Sequence, residues 1–144
     1  MKVFADANIL VSVVNKEYPL FPYTSRILSL AGKDHFRIFT SPVCLAIAFY
    51  FAEKRYKFSA AKEKLKVLSA HIDITTTDTG TVRSAFDDPA VKDFEDGIEY
   101  YSALEAGCQC ILTENKKDFY FSSIEVLSAE EFFQKYLTTR KSTT

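Results

Sequence analysis

The amino-acid sequence predicts one α/β domain, a three-layer α/β/α sandwich built on a mainly parallel central sheet. Short apolar segments typical of buried strands alternate with longer segments whose apolar residues recur at helical spacing. This alternation is typical of β-α-β units, in which helices cover both faces of a parallel sheet. A chain of 144 residues can bury an ample core. We expect a single domain over residues 1–137 and a frayed tail over 138–144.

Five segments have the composition of strands, and helical periodicity fills most of the chain between them. The predicted strands are Val3–Ala5, Phe36–Phe39, Ile72–Ile74, Cys110–Thr113 and Glu125–Leu127. The predicted helices are one after Asn8, Tyr23–Ala31, Val43–Arg55, Ser59–Ala70, one capped by Asp78, Asp93–Ala106 and one from Ser128 to Tyr136 or Leu137. The helix over Val43–Arg55 is apolar nearly all round, so we expect it to be mostly buried.

Composition and charge narrow the functional classes. The formal net charge is −1, so nucleic-acid binding would have to come from a local basic patch. No segment approaches the ~18 consecutive apolar residues of a transmembrane helix, so we expect no membrane association. Three cysteines and no signal peptide favour a reduced, cytoplasmic protein. We expect the thiols to be buried apolar groups rather than metal ligands.

One basic segment is a candidate for such a patch. Lys54-Arg55-Tyr56-Lys57 could hold RNA phosphates while Tyr56 or Phe58 stacks on a base. Alternatively, the segment is the solvated junction of two helices, with Glu53 and Glu63 interleaved among its positive charges. Both alternatives stay open at the level of the sequence.

Asp6 directly follows the first predicted strand, and Asn8 lies two residues further on. A helix is predicted to start at this point, so Asp6 should stand at the carboxyl end of the strand. In open α/β sheets, that edge is where ligands bind. Asp6 or Asn8 could instead simply cap the following helix.

The helix that starts at Asp93 carries the densest acidic group of the chain. Its acids are Asp93, Glu95, Asp96 and Glu99. Asp96 heads a face of small or uncharged residues that should pack closely, so its carboxylate needs a partner. Asp93 lies one turn earlier and could share that partner. Glu95 and Glu99 are expected to face solvent.

A third polar cluster follows the predicted strand that ends at Thr113. If this strand and the first are central, Asp6, Asp96 and either Asn115 or Asp118 converge at one edge of the sheet. Three carboxylates do not stay ionised together without a cation. Oxygen ligands indicate Mg²⁺ or Mn²⁺, and clustered acidic sites of this kind commonly act on phosphate groups.

Three segments of the chain resemble the PIN-domain family, which includes the VapC-type toxin ribonucleases. The segments are Phe4–Leu10, Asp93–Ile98 with Ala103 beyond it, and Ile111–Phe119. They occur in the order and spacing of the family, and the resemblance spans about residues 2–137. Together they are fairly specific, although each alone is a weak signal.

The resemblance implies a PIN-like fold and a metal-dependent ribonuclease, with an antitoxin as an expected protein partner and RNA as the substrate. It implies that Asp6, Asp96 and Asp118 are catalytic acids that bind Mg²⁺ or Mn²⁺, and that Asp93 is an auxiliary acid. It also implies that Asn8, Thr113 and Asn115 bind substrate around the pocket. Similar PIN domains pair, so we expect a homodimer, with Phe49–Phe51 or Tyr18–Tyr23 at its interface.

The chain departs from the family at one position. PIN nucleases usually carry a glutamate in the helix after the second strand, and here that position falls on Ala46 or Ile47. We expect one of these residues to face the cleft and the other to be buried. The incomplete acidic site leaves an alternative, a non-catalytic PIN-like module that binds RNA or protein. A phosphatase with Asp6 as nucleophile is less well supported, because no convincing lysine follows a strand.

Overall fold

A computed structural model describes residues 1–33 and 36–138 of the chain. The strands are β1 (Lys2–Ala5), β2 (Arg37–Thr40), β3 (Asp73–Ile74), β4 (Cys110–Leu112) and β5 (Glu125–Leu127). The helices are α1 (Ala7–Val14), α2 (Phe21–Leu30), α3 (Pro42–Glu53), α4 (Phe58–Ser69), α5 (Thr79–Asp87), α6 (Phe94–Glu105) and α7 (Ala129–Phe132). A 3-10 helix spans Lys116–Phe119, and a π-helical turn over Phe133–Thr138 continues α7. The predicted tail beyond residue 138 lies outside the described residues.

The five strands form one parallel sheet in the order β3-β2-β1-β4-β5. The predicted α/β class with a parallel sheet is thus confirmed. Strands β2 and β3 lie on one side of β1, and β4 and β5 lie on its other side. The switch point therefore lies between the carboxyl ends of β1 and β4, where such folds bind ligands.

Both faces of the sheet are covered. Val3, Phe4 and Ala5 are all fully buried, although successive side chains of a strand point to opposite faces. This is why the central strands read as continuous apolar runs rather than as alternating patterns. Helices α1 to α4 pack on one another, and α5 packs on α6.

Capping side chains set several of the helix starts that the sequence predicts. The Ser41 hydroxyl accepts a hydrogen bond from the Cys44 amide at 3.1 Å, and Pro42 follows at the first helical position of α3. Ser128 and Glu131 form a reciprocal capping box at the start of α7. These local signals explain why the predicted and observed boundaries differ by only one or two residues for most elements.

Helix α3 is less buried than expected. Within it only Cys44, Ala48 and Ala52 are buried, whereas Tyr50 and Phe51 are 57% and 42% exposed. The expectation of a mostly buried helix was wrong, because apolar composition on all sides does not reveal which sides find a partner. The consequence is an exposed aromatic surface on the chain.

The first turn of α6 packs against its neighbours at Gly97. A Cβ atom at this position would lie 2.6 Å from Val91 Cγ1 and 3.1 Å from Ala85 Cβ. Glycine therefore permits α5 and the segment before α6 to approach the helix backbone directly beside Asp96. In the part of the chain that the structure describes, no helix has the length and apolar character needed to cross a membrane.

Candidate active site

A cavity of about 420 Å³ opens at the carboxyl ends of β1 and β4. Its lining residues are Asp6, Ala7, Asn8, Val11, Glu17, Ile47, Phe51, Asp93, Glu95, Asp96, Asn115 and Asp118. The three acid-bearing segments singled out in the sequence thus meet around one space, although Asp6 precedes the other two in the chain by about ninety residues or more. Of the predicted site residues, only Thr113 lies behind this surface, fully buried.

Asp6 is fixed by the two strands at the floor of the cavity. Its Oδ1 accepts a hydrogen bond from the Ala7 amide at 2.6 Å, which caps α1. Its Oδ2 accepts bonds from the Thr113 hydroxyl at 2.7 Å and from the Asn8 amide group at 3.3 Å. The capping role and the cavity role, which the sequence left as alternatives, are thus combined in one carboxylate.

Hydrogen bonds tie the segment after β4 to the same floor. The Asn115 amide donates to the Thr113 hydroxyl at 3.0 Å, and the Glu114 amide donates to Asn8 Oδ1 at 3.2 Å. The Asn8 side chain also donates to Thr113 at 3.2 Å. Because the parallel pairing of β1 with β4 places Ala5 opposite Leu112, the residues that follow each strand are brought into contact.

Asp118 reaches the cavity from the 3-10 helix. Phe119 is buried in the core and anchors this short helix, while Asp118 on its other side stays exposed. Asp118 is therefore placed by an apolar neighbour rather than by hydrogen bonds of its own carboxylate.

The acids of α6 form the opposite wall. Asp93 is the N-cap of the helix and accepts a hydrogen bond from the Asp96 amide at 3.2 Å. Burial, together with repulsion from Asp93, Asp118 and Asp6, raises the pKa of Asp96 to about 7. Partial burial and the charge of Asp93 also raise the pKa of Glu95.

Glu99 corrects the sequence-based expectation. It was expected to face solvent, yet it is only 1% exposed, and its Oε1 accepts a hydrogen bond from the Cys44 thiol at 3.0 Å. Burial, and then the adjacent Asp6 carboxylate, raise the pKa of Glu99 to about 11. Burial and the carboxyl groups of Glu99 and Asp6 raise the pKa of the Cys44 thiol well above its usual range.

A signal for this placement was present in the sequence. Glu99 lies three residues after Asp96, and residues at this spacing are neighbours on one helix face. Grouping Glu99 with Glu95 instead assigned it to the wrong side. The burial of Tyr100, Ser102 and Ala103 shows that this part of α6 is enclosed on most sides.

Helix α3 presents Ile47, not an acid, to the cavity. Ala46, the other position considered for the family glutamate, is exposed. The expectation that one of the two positions would be buried was therefore wrong, because α3 turns this side to solvent. Ile47 is the position at which an acid from α3 would reach the site.

Comparison with known proteins identifies the family. The sequence model of the PIN domain matches residues 2–117. The chain belongs to the PIN-domain family.

The relatives of this PIN domain include VapC proteins. Ribonuclease VapC1 of Aquifex aeolicus (strain VF5) is 29% identical over 141 residues, which cover 95% of this chain and 96% of that protein. VapBC2 of Rickettsia felis, solved with a DNA fragment from its promoter, superposes with a TM-score of 0.68 at 17% identity, covering 89% of this chain and 98% of that one. VapBC-1 of nontypeable Haemophilus influenzae gives a TM-score of 0.67 at 15% identity, covering 90% and 99%. These structural likenesses extend the family's fold to nearly the whole chain.

The donor set of the cavity suits a hard divalent cation. Among residues 1–33 and 36–138, no ion pair involves Asp6, Asp96, Asp118 or Glu99, so these carboxyl groups have no lysine or arginine to balance them. Ligand atoms of Glu95, Asp96 and Glu99 lie within 4.8 Å of one another, as do those of Asp6, Cys44 and Glu99. The polar side chains that line the cavity are all carboxylates or carboxamides, whose oxygens are the ligands that Mg²⁺ and Mn²⁺ prefer.

A second concavity of the PIN domain has a different character. It measures about 690 Å³ and is lined mainly by apolar side chains of α1, α2 and α4, including Val13, Leu28 and Val67. Lys16, Lys33 and Lys64 stand among the lining residues. This apolar groove is separate from the acidic cavity and shares no lining residue with it.

Proposed function

We propose that this PIN domain is an endoribonuclease that depends on Mg²⁺ or Mn²⁺ and acts as the toxin of a toxin–antitoxin pair. The observation that carries the proposal is the convergence of Asp6, Asp96 and Asp118 on one cavity that contains no balancing cationic side chain among the described residues. The relative from Aquifex aeolicus, which matches nearly end to end, is named a ribonuclease.

In this proposal Asp6, Asp96 and Asp118 hold the metal, with Asp93 as an auxiliary acid at the start of α6. A bound divalent cation supplies a water of lowered pKa and neutralises charge on the phosphate that is attacked. The Thr113 hydroxyl donates a hydrogen bond to one oxygen of Asp6, and this bond keeps the carboxylate oriented toward the cavity. Asn115 lines the cavity, and in this proposal its side-chain amide donates a hydrogen bond to a phosphate or ribose oxygen. The amide group of Asn8 donates to Asp6 and Thr113, so its part is to orient Asp6.

An approach path for RNA starts at the same cavity. Phe51 lines it, and the Lys54 ammonium lies 5.2 Å from the Phe51 ring centre and 4.4 Å from that of Tyr50. Exposed rings beside a lysine suit a single strand, because bases stack on the rings while the ammonium contacts phosphate. This favours the RNA-contacting interpretation for the Lys54 end of the basic segment.

A non-catalytic RNA- or protein-binding module is the second candidate. It is favoured by Ile47, an apolar residue at the cavity position where an acid of α3 would stand. Such a module would keep the cavity and its RNA surface without cleaving the strand.

A nuclease assay separates the two candidates. The purified chain is incubated with single-stranded and structured RNA in Mg²⁺, in Mn²⁺ or in chelator, and Asp6→Asn and Asp118→Asn are compared with Asp87→Asn, an exposed acid outside the cavity. We expect metal-dependent cleavage in the parent and in Asp87→Asn, and loss of cleavage in the other two. Metal-independent RNA binding without cleavage would support the binding module instead.

The apolar groove is the surface that we propose for the antitoxin. The structures from Rickettsia felis and Haemophilus influenzae are named VapBC assemblies, and an open apolar groove of this size marks a protein-binding surface. Its lysines favour a partner segment that carries apolar residues among acidic ones. Val67→Asp should abolish co-purification with the product of a short, overlapping upstream open reading frame, while Tyr50→Asp on α3 should not.

We also propose a homodimer that uses the segment before α2, which leaves the rings of Tyr50 and Phe51 free for RNA. The Tyr18 ring is exposed in that segment. Aromatic residues are enriched in protein interfaces. Light scattering at tens of micromolar should give twice the monomer mass for the parent and the monomer mass for Tyr18→Asp.

A further inference from the structure

We propose that Glu99 is a fourth carboxylate of the metal site, supplied by α6 at the place where α3 supplies none. The inference rests on the proposed metal-dependent function and names a residue that acts in it. Its basis is the position of the Glu99 carboxyl group rather than the number of acids nearby.

The Glu99 carboxyl group lies between the two walls of the site. Its oxygens lie within 4.8 Å of a carboxylate oxygen of Asp6 on the strand side, and within the same distance of Glu95 and Asp96 on its own helix. Glu99 is thus the one residue that belongs both to the cluster with Asp6 and Cys44 and to the cluster with Glu95 and Asp96. A cation held by Asp6 and Asp96 would therefore have the Glu99 carboxylate beside it.

The partners of Glu99 point toward Asp6. The side chain is enclosed almost completely, and burying a carboxyl group is costly unless its oxygens are well satisfied. The Cys44 thiol, a weak donor, gives it one hydrogen bond, and a second hydrogen bond links it to the Asp6 carboxyl group. Among the described residues no lysine, arginine or histidine pairs with it. The oxygens of Asp6 and Glu99 therefore meet at one place, which a divalent cation would bridge.

Helix α3 passes the same place without contributing an acid. Cys44 of α3 contacts the Glu99 carboxyl group, and Ile47, almost one turn later, lines the cavity. The two helices thus flank one space, and an acid on either could enter it. We infer that in this chain the additional carboxylate comes from α6 rather than from α3. An acid introduced at position 47 of α3 should therefore take over the role of Glu99.

Mn²⁺ binding to the purified full-length chain tests the proposal without relying on catalysis. Affinity is measured by isothermal titration calorimetry for the parent, Glu99→Gln and Glu105→Gln. Glu105 is the matched control, since it is an exposed acid of the same helix that lies outside the cavity and contacts Thr81. We expect Glu99→Gln to weaken Mn²⁺ binding about 10- to 100-fold or more, the loss typical of groups that support a metal site. Glu105→Gln should bind as the parent does.

A rescue variant separates a role at the metal from a purely structural one. Ile47→Glu, added to Glu99→Gln, should recover at least part of the lost Mn²⁺ affinity. Far-ultraviolet circular dichroism and metal-free thermal unfolding check that each variant folds. Should Glu99→Gln fail to fold, Glu99→Leu, which fills the same enclosed space without polar atoms, is used in both the single and the rescued chain.

The outcomes distinguish this inference from the proposed function. Parent-like Mn²⁺ affinity in Glu99→Gln, with binding still abolished by Asp6→Asn, would overturn the role of Glu99 and leave the metal site in place. Weakened binding that position 47 does not restore would assign Glu99 a structural role and also overturn the inference. A parent chain that binds no Mn²⁺ would overturn both proposals. Weakened binding with recovery supports both.

Discussion

The two walls of the acidic cavity are built in opposite ways. On the strand wall, Asp6 accepts hydrogen bonds from Ala7, Asn8 and Thr113, so both of its oxygens are held before any ligand arrives. On the helix wall, burial and then repulsion from Asp93, Asp118 and Asp6 raise the pKa of Asp96 to about 7. The carboxylate of the strand wall is thus stabilised by hydrogen bonds, whereas the ionised form of Asp96 on the helix wall is destabilised by its surroundings.

This difference indicates how the proposed cation site is built at a simple sheet edge. Adjacent parallel strands deliver one fixed carboxylate through backbone geometry, which costs little because its oxygens keep their hydrogen bonds. The helix adds carboxylates whose mutual repulsion a bound cation would relieve.

Removing the fixed carboxylate should abolish the response to metal. Mn²⁺ at about 100 times its dissociation constant stabilises a folded protein by about 2.7 kcal/mol, or roughly 5–10 °C in melting temperature for a chain of this size. Asp6→Asn should lose nearly all of this shift in thermal unfolding, because the strand wall then offers an amide instead of a carboxylate. A full shift in Asp6→Asn would show that the strand wall does not bind metal.

Removing a hydrogen bond that positions Asp6 should affect Mn²⁺ binding less than removing the carboxylate itself. Thr113→Val removes the hydroxyl that donates to Asp6 at 2.7 Å and accepts from the Asn115 amide. We expect Mn²⁺ affinity to fall about 10- to 100-fold, as for other lost supports of metal ligands, measured by calorimetry. Thr113→Ser keeps the hydroxyl and serves as the control. Equal affinities in the two variants would mean that Asp6 does not depend on this bond.

The helix wall should make the metal-free protein less stable as pH rises. Asp96 binds its proton more tightly in the folded chain, with a pKa of about 7, than in the unfolded chain. Its contribution to stability is therefore complete below about pH 4 and lost as pH rises through about 7. Between pH 5 and 8 we expect a fall of about 1–2 kcal/mol in the free energy of unfolding, after allowance for solvent screening.

Urea denaturation in chelator at several pH values measures this dependence. Asp96→Asn should reduce this dependence without abolishing it, because Glu99, whose pKa of about 11 lies above this pH range, contributes a fall in stability throughout. Saturating Mn²⁺ should remove or reverse the slope, because the cation favours the ionised carboxylates. Stability that increases from pH 5 to 8 without metal would contradict the described repulsion on the helix wall.

An acid introduced on the solvent side of α3 should affect neither the stability of the chain nor Mn²⁺ binding in the cavity. Ala46 is exposed, so Ala46→Glu should alter the free energy of unfolding by less than about 0.5 kcal/mol and leave Mn²⁺ affinity unchanged. The urea midpoint and calorimetry measure the two quantities. A loss of several kcal/mol would show that this side of α3 is covered in solution.

The strand wall was the easier part to predict from the sequence. Its residues directly follow the apolar strands, and parallel strands place their carboxyl ends at one edge. Asp6 and Thr113 therefore had to meet once β1 and β4 were neighbours, as their pairing shows. The starts of the helices were also predictable, because capping residues such as Ser41 and Ser128 act over only a few residues.

The helix wall was harder, because helix faces are defined by what packs on them. The sequence predicts that Asp96 and Glu99 are neighbours on α6, but it does not reveal that Cys44 of α3 packs against Glu99. Likewise, the apolar composition of α3 did not show that Tyr50 would remain exposed. The 3-10 helix that carries Asp118 has no periodicity long enough to detect, and the burial of Phe119 decides its position.

The close packing at Gly97 has a consequence for the speed and selectivity of ligand capture. Because a Cβ at Gly97 would lie only 2.6 Å from Val91 and 3.1 Å from Ala85, the backbone that carries Asp96 has little freedom to shift toward a larger ion. A cation bound as proposed would meet carboxylates that adjust by side-chain rotation alone, so little backbone entropy would be lost on binding. The cavity should consequently discriminate by ionic radius, accepting Mg²⁺ and Mn²⁺ more readily than Ca²⁺, which needs longer bonds and more ligands.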